Sequence, residues 1–285
     1  MFNIIEKRAI FFIISAVVII AGIVGLVVNG GLNTDIDFTG GTEMYVDLNA
    51  DFNENAIRDA LKGVVEVSTV QKAGDKEASI RTKELSSEER IKVTEALEKA
   101  FDGAKVLSVD NVSATVGSEL WTNAAISIVV VALLMLVYIT FRFELLSGIS
   151  AVFALIHDML VMISIYAIFR LPVNTSFIAA ILTILGYSIN ATIVVFDRIR
   201  ENTRFLRKEA FADIVNKSIW QTMGRSINTS ITTLITLVCL YIMGVPSIKE
   251  FVLPLIVGVV CGGFSSIFLA GQFWVLLKGK NAKNA

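Results

Sequence analysis

The residues of this chain best placed to do chemistry sit inside runs apolar enough to cross a membrane. One run is Gly186-Tyr-Ser-Ile-Asn190-Ala-Thr-Ile-Val-Val-Phe-Asp197-Arg-Ile-Arg-Glu201-Asn202, which begins helix-length and apolar and ends in a burst of charge. Gly186, Tyr187, Ser188, Asn190 and Thr192 stand where lipid favours Leu, and polar groups in hydrocarbon need partners or water. Such a segment is expected to face other helices or a hydrated path. His157 and Asp158 lie at the centre of another apolar run. An ionised group there costs about 2.5–3.5 kcal/mol on insertion scales, which turns the pair towards the bundle interior. His157 is the only histidine in the chain, and an imidazole titrates near neutral pH. A hydrogen bond fastening two helices would explain the pair as well as an ion path would.

Two helical stripes extend this polar set. Thr183, Asn190 and Asp197 recur every seven residues, two turns apart on one face. Asn190 is the more interior member and can hydrogen-bond without exchanging a proton. Asp197, with Arg198, Arg200 and Glu201, reads as a structural charge motif at the end of its span. Arg225, Thr229, Thr232 and Thr236 follow at i, i+4, i+7 and i+11, broadened by Asn228 and Thr233. Arg225 either snorkels to the interface above threonines that pack between helices, or stands beside a hydrated path. His157, Asp158, Asn190, Arg225, Asn228 and Thr229 are the candidates for such a path. No His-Glu-x-x-His or Gly-x-Ser-x-Gly motif occurs, and His157 beside Asp158 does not make a triad. No catalytic residue, metal or cofactor is expected, and the chain is read as something other than an enzyme.

The elements that must position these residues follow from composition. Hydrophobic residues make up 54% of the chain, with only three prolines, and the mean hydropathy is +0.70. These values exclude an ordinary soluble domain and indicate several spans. Against a bilayer needing roughly 20 helical residues, six apolar segments stand out: 9–28, 122–141, 145–169, 174–196, 226–244 and 251–277. The gaps at 142–144 and 170–173 imply tight helical hairpins. Ala9 to Val28 is longer than the roughly 7–15 residues of a signal h-region, and no small-x-small site follows, so it is read as an uncleaved anchor.

Lys7, Arg8, Arg142, Arg198, Arg200, Arg204, Arg207, Lys208, Lys217, Arg225, Lys278, Lys280 and Lys283 fall on one side. The other side has only Arg170 and Lys249 in its short loops, so both termini are expected in the cytoplasm. The divisions expected are a cytoplasmic N-terminus and first span at 1–28, an extracytoplasmic α+β domain at 29–121, a five-helix bundle at 122–277 and a tail at 278–285. Within the bundle, Phe211, Ile214, Val215, Ile219 and Met223 form an apolar stripe flanked by Arg207, Lys208 and Lys217. That suits a separate cytoplasmic interfacial helix over about 205–223, whose basic residues meet the inner leaflet, so nucleic-acid binding is not invoked. Gly258, Gly262, Gly263 and Ser266 offer small faces for close helix contact, including contact with a partner, and Pro254 is expected to bend the last span slightly. Cys239 and Cys261 are read as unpaired packing residues.

The external segment alternates like a half-buried strand over 42–48, then reads as a helix over 51–62 with Ile57 and Leu61 inward. Strands are predicted at 64–70 and 78–82 around a turn at Ala73-Gly74-Asp75-Lys76. Ser86 and Glu89 carry a capping-box signature for a helix running to about Phe101, with Ile91, Ala96, Leu97 and Phe101 as core contacts. A strand at 104–109 completes a βαββαβ, ferredoxin-like order. Before it, Asp35-Ile-Asp37-Phe-Thr-Gly40-Gly41-Thr42 reads on its own as a turn entering a strand, with Gly40 and Gly41 free to take positive φ.

That last motif, GYSIN-x-TIVVFDRIREN and Arg225-Ser-Ile-Asn228-Thr-Ser-Ile-Thr-Thr together closely resemble the SecF family, the smaller partner of SecD in bacterial protein export. Phe141-Arg-Phe-Glu144, His157-Asp158 and Val116-Gly117-Ser-Glu-Leu120 extend the resemblance from the first span to the last. It implies one six-span repeat of the resistance-nodulation-division transporter type, with SecD supplying the other. The implied role is to use the proton-motive force to pull a preprotein outward after it emerges from the SecYEG channel. Implied partners are SecD as heterodimer, SecYEG, unfolded preprotein and the lipid bilayer, with YajC a further candidate; the location is the bacterial cytoplasmic membrane. In that family the Arg matching Arg225 stands among residues that support proton-driven export. One departure matters: the residue after the Asn of GYSIN is usually acidic there, and here it is Ala191. A methyl group cannot take up a proton, so the membrane carboxylate would come from SecD, with Asp158 as a local substitute. Two other readings stay open. One is a non-conducting scaffold linking SecD to the channel. The other is half of a small-molecule exporter, against which the single repeat and small external domain argue. Sodium would satisfy the same physics as a proton.

Overall fold

Alternating strands and helices apolar on all sides sort this chain into two units. The computed structural model describes residues 3–72, 74, 76–206 and 208–281. One unit is Thr34–Ala125; the other joins Met1–Asn33 to Ile126–Ala285. The first boundary therefore lies a few residues inside the expected 29–121. Arg207, Lys283, Ala73 and Asp75, all used in the expectations above, lie outside the described residues, as does the tail from residue 282.

In the first unit the order is α2 (Ile36–Thr39), β1 (Gly41–Asp47), α3 (Glu54–Ala60), β2 (Val67–Lys72), β3 (Glu77–Thr82), α4 (Ser87–Ala100) and β4 (Lys105–Val112). The sheet runs β2-β3-β1-β4, antiparallel throughout, which is the ferredoxin-like arrangement. Met44, Val46 and Ile80 on one sheet face pack with Ile57, Leu61, Val93 and Leu97 from the helices. Ile91, expected in this core, is 59% exposed. The inward stripe of α4 runs through Val93, Ala96 and Leu97 instead, so Val93 takes the place given to Ile91. At its start Glu89 N–H donates to Ser86 Oγ at 3.3 Å and Ser86 N–H donates to Glu89 Oε2 at 2.8 Å.

The turn expected at 35–42 contains one helical turn, α2, too short to show a periodicity. Asp35 caps it, accepting from Ile36 N–H at 2.6 Å. Gly40 and Gly41 have φ of 73° and 137°, and a Cβ on Gly40 would lie 2.7 Å from the Ala114 backbone nitrogen. Both a left-handed backbone and a close approach therefore require glycine here.

The second unit contains α1 (Arg8–Val28), most of α5 (Ala114–Arg142), α6 (Leu145–Phe169), α7 (Thr175–Phe205), α8 (Phe211–Met243), α9 (Pro246–Phe268) and α10 (Ala270–Asn281). Six segments among the described residues are long and apolar enough to cross a membrane, the last formed by α9 and α10 with Leu269 between them. Helices α6, α7 and α9 are far more covered than α1, α5 and α8, which keep most of their apolar surface open. Close approach decides the packing. A Cβ on Gly22 of α1 would lie 2.5 Å from Ser164 Cα on α6.

One expectation needs correction. The stretch 205–223 is not a separate interfacial helix: from Phe211 it is the first part of α8. The helix passes through Gly224 into the apolar run without a break, and Ile214, Val215 and Ile219 are buried, with Gly271 of α10 packed on Val215. The small faces of α9 make the close helix contacts expected of them. Gly258 meets Ile184, Gly262 meets Ser188, and Gly263 meets Ser230.

Candidate functional site

A knot of buried polar side chains lies at the middle of the helical unit. His157 and Asp158 are consecutive at the centre of α6, both buried. Asp158 Oδ2 accepts hydrogen bonds from Ser188 Oγ on α7 at 2.6 Å and from Ser265 Oγ on α9 at 2.8 Å. Its Oδ1 is 3.1 Å from His157 Nδ1, and His157 Nε2 is 2.9 Å from Ser15 Oγ on α1. Four helices thus converge on one imidazole and one carboxylate. With the carboxylate ionised, His157 Nδ1–H donates to it and Nε2 accepts from Ser15. Both ring nitrogens and both carboxylate oxygens therefore have a partner, which fixes the pair in place between the four helices.

Asn190 and Arg225 are not part of it. Ser188 and Asn190 point to opposite sides of α7: Ser188 is fully buried and Asn190 is exposed. On the Asn190 side a cavity of about 50 Å³ is lined by Tyr187, Asn190, Ala191, Val194, Arg225 and Thr229, among others. Tyr187 Oη donates to Ser230 Oγ at 3.3 Å, closing one end. No acid lines this cavity. Thr229, Thr232, Thr233 and Thr236 donate to carbonyls of their own helix. Their hydroxyls are satisfied without a partner helix, and Asn228 is exposed. Two polar sites therefore exist where the sequence suggested one path, separated by the body of α7.

The charge motif pairs differently from its spacing. Asp197 meets Arg142 at 3.3 Å, Arg198 meets Glu201 at 2.6 Å, and Arg200 donates to the Arg142 carbonyl at 3.2 Å. In the small domain, Asp37 sits in the first turn of α2. The residue engaged in a buried charge cluster is Asp35, which receives Arg81 at 3.0 Å while Glu43 receives the same guanidinium at 2.8 Å and the Ser79 hydroxyl. Burial works against the charged Arg81, but Glu43 and Asp35 outweigh it and raise its pKa above the ordinary guanidinium value. Ser15, Ser188 and Ser265 are what sequence reasoning missed or left unassigned. A Ser in an apolar helix looks like any small residue: Ser265 stands beside Ser266 in a small-residue run, and Ser188 alone fell in the polar stretch singled out by its sequence.

The fold and the knot together define a six-span membrane protein carrying one small α+β domain. Residues 92–280 match the family described as protein export membrane protein SecD/SecF, C-terminal. The chain is 39% identical to protein translocase subunit SecF of Acidaminococcus fermentans over 98% of both. It is 37% identical to protein translocase subunit SecDF of Bacillus subtilis, covering 98% of this chain and 38% of that one. A crystal structure of SecDF from Thermus thermophilus, a translocon-associated membrane protein, aligns with a TM-score of 0.89 at 31% identity, over 98% of this chain and 39% of that chain. This chain belongs to the SecD/SecF family, and it spans nearly the whole length of its SecF relatives.

Proposed function

We propose that the chain is a SecF-type, non-enzymatic subunit that acts with SecD and uses the proton-motive force to draw preproteins outward through the SecYEG channel, with both termini cytoplasmic. The observation that carries this reading is the cavity beside Arg225, which holds a cation and no acid. A cation at the mouth of an apolar span is best placed where an anion or water meets it. The open face of α8 leaves the place for that anion on another chain. Relatives named SecDF match this chain over 38% of their length and carry the remainder in the same polypeptide, which supports SecD as the supplier. The driving force available is about 2.3 kcal/mol per charge per 100 mV.

Ala191 favours a second reading, a scaffold that joins SecD to the channel without conducting. It lines the cavity beside Arg225, where a carboxylate would have been its direct partner. Both readings are separated by export of a secreted reporter in cells depleted of their own SecD and SecF, supplied with this chain and its native SecD. Coupling without the α7 acid predicts that the unaltered chain restores export and loses that effect when the proton gradient is collapsed. Rescue by Ala191→Asp alone assigns coupling to the missing carboxylate. Failure of both, with SecD still bound, establishes the scaffold.

A further inference from the structure

The ends of α5, α7 and α10 leave two adjoining clefts, of about 190 and about 550 Å³, with Arg200 and Arg204 lining both. We propose that this is a binding site for the phosphate headgroup of an anionic phospholipid. The inference is independent of the export reading, since it rests on the chemistry of the cleft alone.

Pairing removes every nearby acid from competition. Asp197 is held by Arg142 at 3.3 Å, and Glu201 by Arg198 at 2.6 Å. Glu144 accepts from the Trp274 indole N–H at 2.7 Å and stands 3.7 Å from Lys278. Arg200 and Arg204 remain. Neither has a carboxylate partner among the described residues; Arg200 spends one N–H on the Arg142 carbonyl at 3.2 Å. They are one helical turn apart on α7, and like charges at that spacing destabilise a helix. An anion between them relieves the repulsion, and a guanidinium offers a planar fork that matches phosphate oxygens.

Aromatic rings set the cations in place. Arg142 and Arg200 lie 5.2 and 6.0 Å from the Phe143 ring, and Lys278 Nζ lies 4.1 Å from the Phe211 ring. The same rim carries hydrocarbon. Phe205, which lines the larger cleft, is 77% exposed, and Phe141, beside Arg142, is 89% exposed. A soluble anion has no use for those rings, whereas acyl chains descend along them. Basic pockets between spans at a membrane face bind anionic headgroups by this chemistry, and aromatic residues mark the headgroup level.

The test is native mass spectrometry of the purified full chain in neutral detergent, with phosphatidylglycerol and phosphatidylethanolamine as probes. Phosphatidylglycerol should be retained over the zwitterionic lipid, and the double variant Arg200→Ala, Arg204→Ala should weaken that retention about tenfold or more. Lys62→Ala, which removes an exposed cation of the small domain, should leave it unchanged. The double variant Arg200→Lys, Arg204→Lys keeps the charge, and it should keep the preference for phosphatidylglycerol while binding less tightly; this holds the test open if the alanine variant fails to fold. Equal retention of the two lipids, or full retention by the alanine variant, overturns the proposal. Displacement by millimolar inorganic phosphate would assign the cleft to a soluble anion, and loss of copurifying SecD with lipid binding intact would assign it to a protein contact; either overturns it as well.

Discussion

Ser188 Oγ donates a 2.6 Å hydrogen bond to Asp158 Oδ2, tying α7 to the centre of α6. Ser265 reaches the same oxygen from α9 at 2.8 Å, so the carboxylate is a common acceptor for two helices that do not otherwise need a polar contact. Hydrogen bonds to charged groups are worth roughly 1.5–3 kcal/mol, and a buried acceptor that loses one of two donors retains part of that. Ser188→Ala should therefore lower the stability of the purified chain by about 1–2 kcal/mol, with the Ser188→Ala, Ser265→Ala pair costing more than the sum. Thermal unfolding in detergent reads both. Asp158→Asn then separates fastening from ion handling: a variant that folds and exports normally removes Asp158 from coupling.

Where helices touch backbone to backbone, a single methyl group decides. Gly22 faces Ser164 so closely that an added Cβ would lie 2.5 Å from Ser164 Cα, whereas nothing lies within 4 Å of a Cβ added to Gly186. Gly22→Ala is expected to destabilise by about 1–3 kcal/mol through overpacking. Gly186→Ala should be neutral or stabilising by up to about 1 kcal/mol, since Ala is the better helix former. Equal melting temperatures for the two variants would count against the α1–α6 contact.

Much of this molecule was legible in the sequence, and the gaps have physical causes. The apolar runs marked six spans because length and hydropathy alone decide a span. The inward position of His157 and Asp158 followed from the cost of burying charge in lipid. Strand alternation and the Ser86–Glu89 box placed the small domain's elements, because each is a local pattern. What the sequence could not convey was pairing across distance. Ser15 and His157 are 142 residues apart, and no local pattern links them. The same limit hid Asp35 with Arg81, and it made Asn190 and Asp158 look like one path when α7 separates them. The start of α8 was mistaken for a separate helix because a polar, basic face precedes its apolar run, and burial against α10 was invisible.

Acid should loosen the start of α4 before it affects the rest of the small domain. The Ser86 backbone N–H, and then its hydroxyl, hold the Glu89 carboxyl below its ordinary 4.5. A carboxyl depressed in the folded state contributes stability that is present above the unfolded value and lost as pH falls through the folded one. Hydrogen exchange in the first turn of α4 should therefore be slow at neutral pH and speed up as the pH falls below the ordinary carboxyl value. Glu89→Gln should flatten that pH dependence by removing the titrating group. An unchanged pH profile in Glu89→Gln would show that another carboxyl is responsible.

Arg225 and Lys83 are both cations, and their surroundings predict opposite consequences of losing them. Lys83 meets Glu66 at 2.6 Å with both side chains more than three-quarters exposed, and such pairs contribute little. Arg225 lines a cavity without an acid, at the start of the apolar run of α8. If that cation meets an anion or an ion on its way, Arg225→Ala should cut export of a secreted reporter several-fold at matched protein levels, and Lys83→Ala should leave it near the unaltered value. Arg225→Lys keeps the charge but not the planar fork, so it should fall between them if geometry matters and match the unaltered chain if charge alone does. Equal export by Arg225→Ala and Lys83→Ala would take Arg225 out of the mechanism.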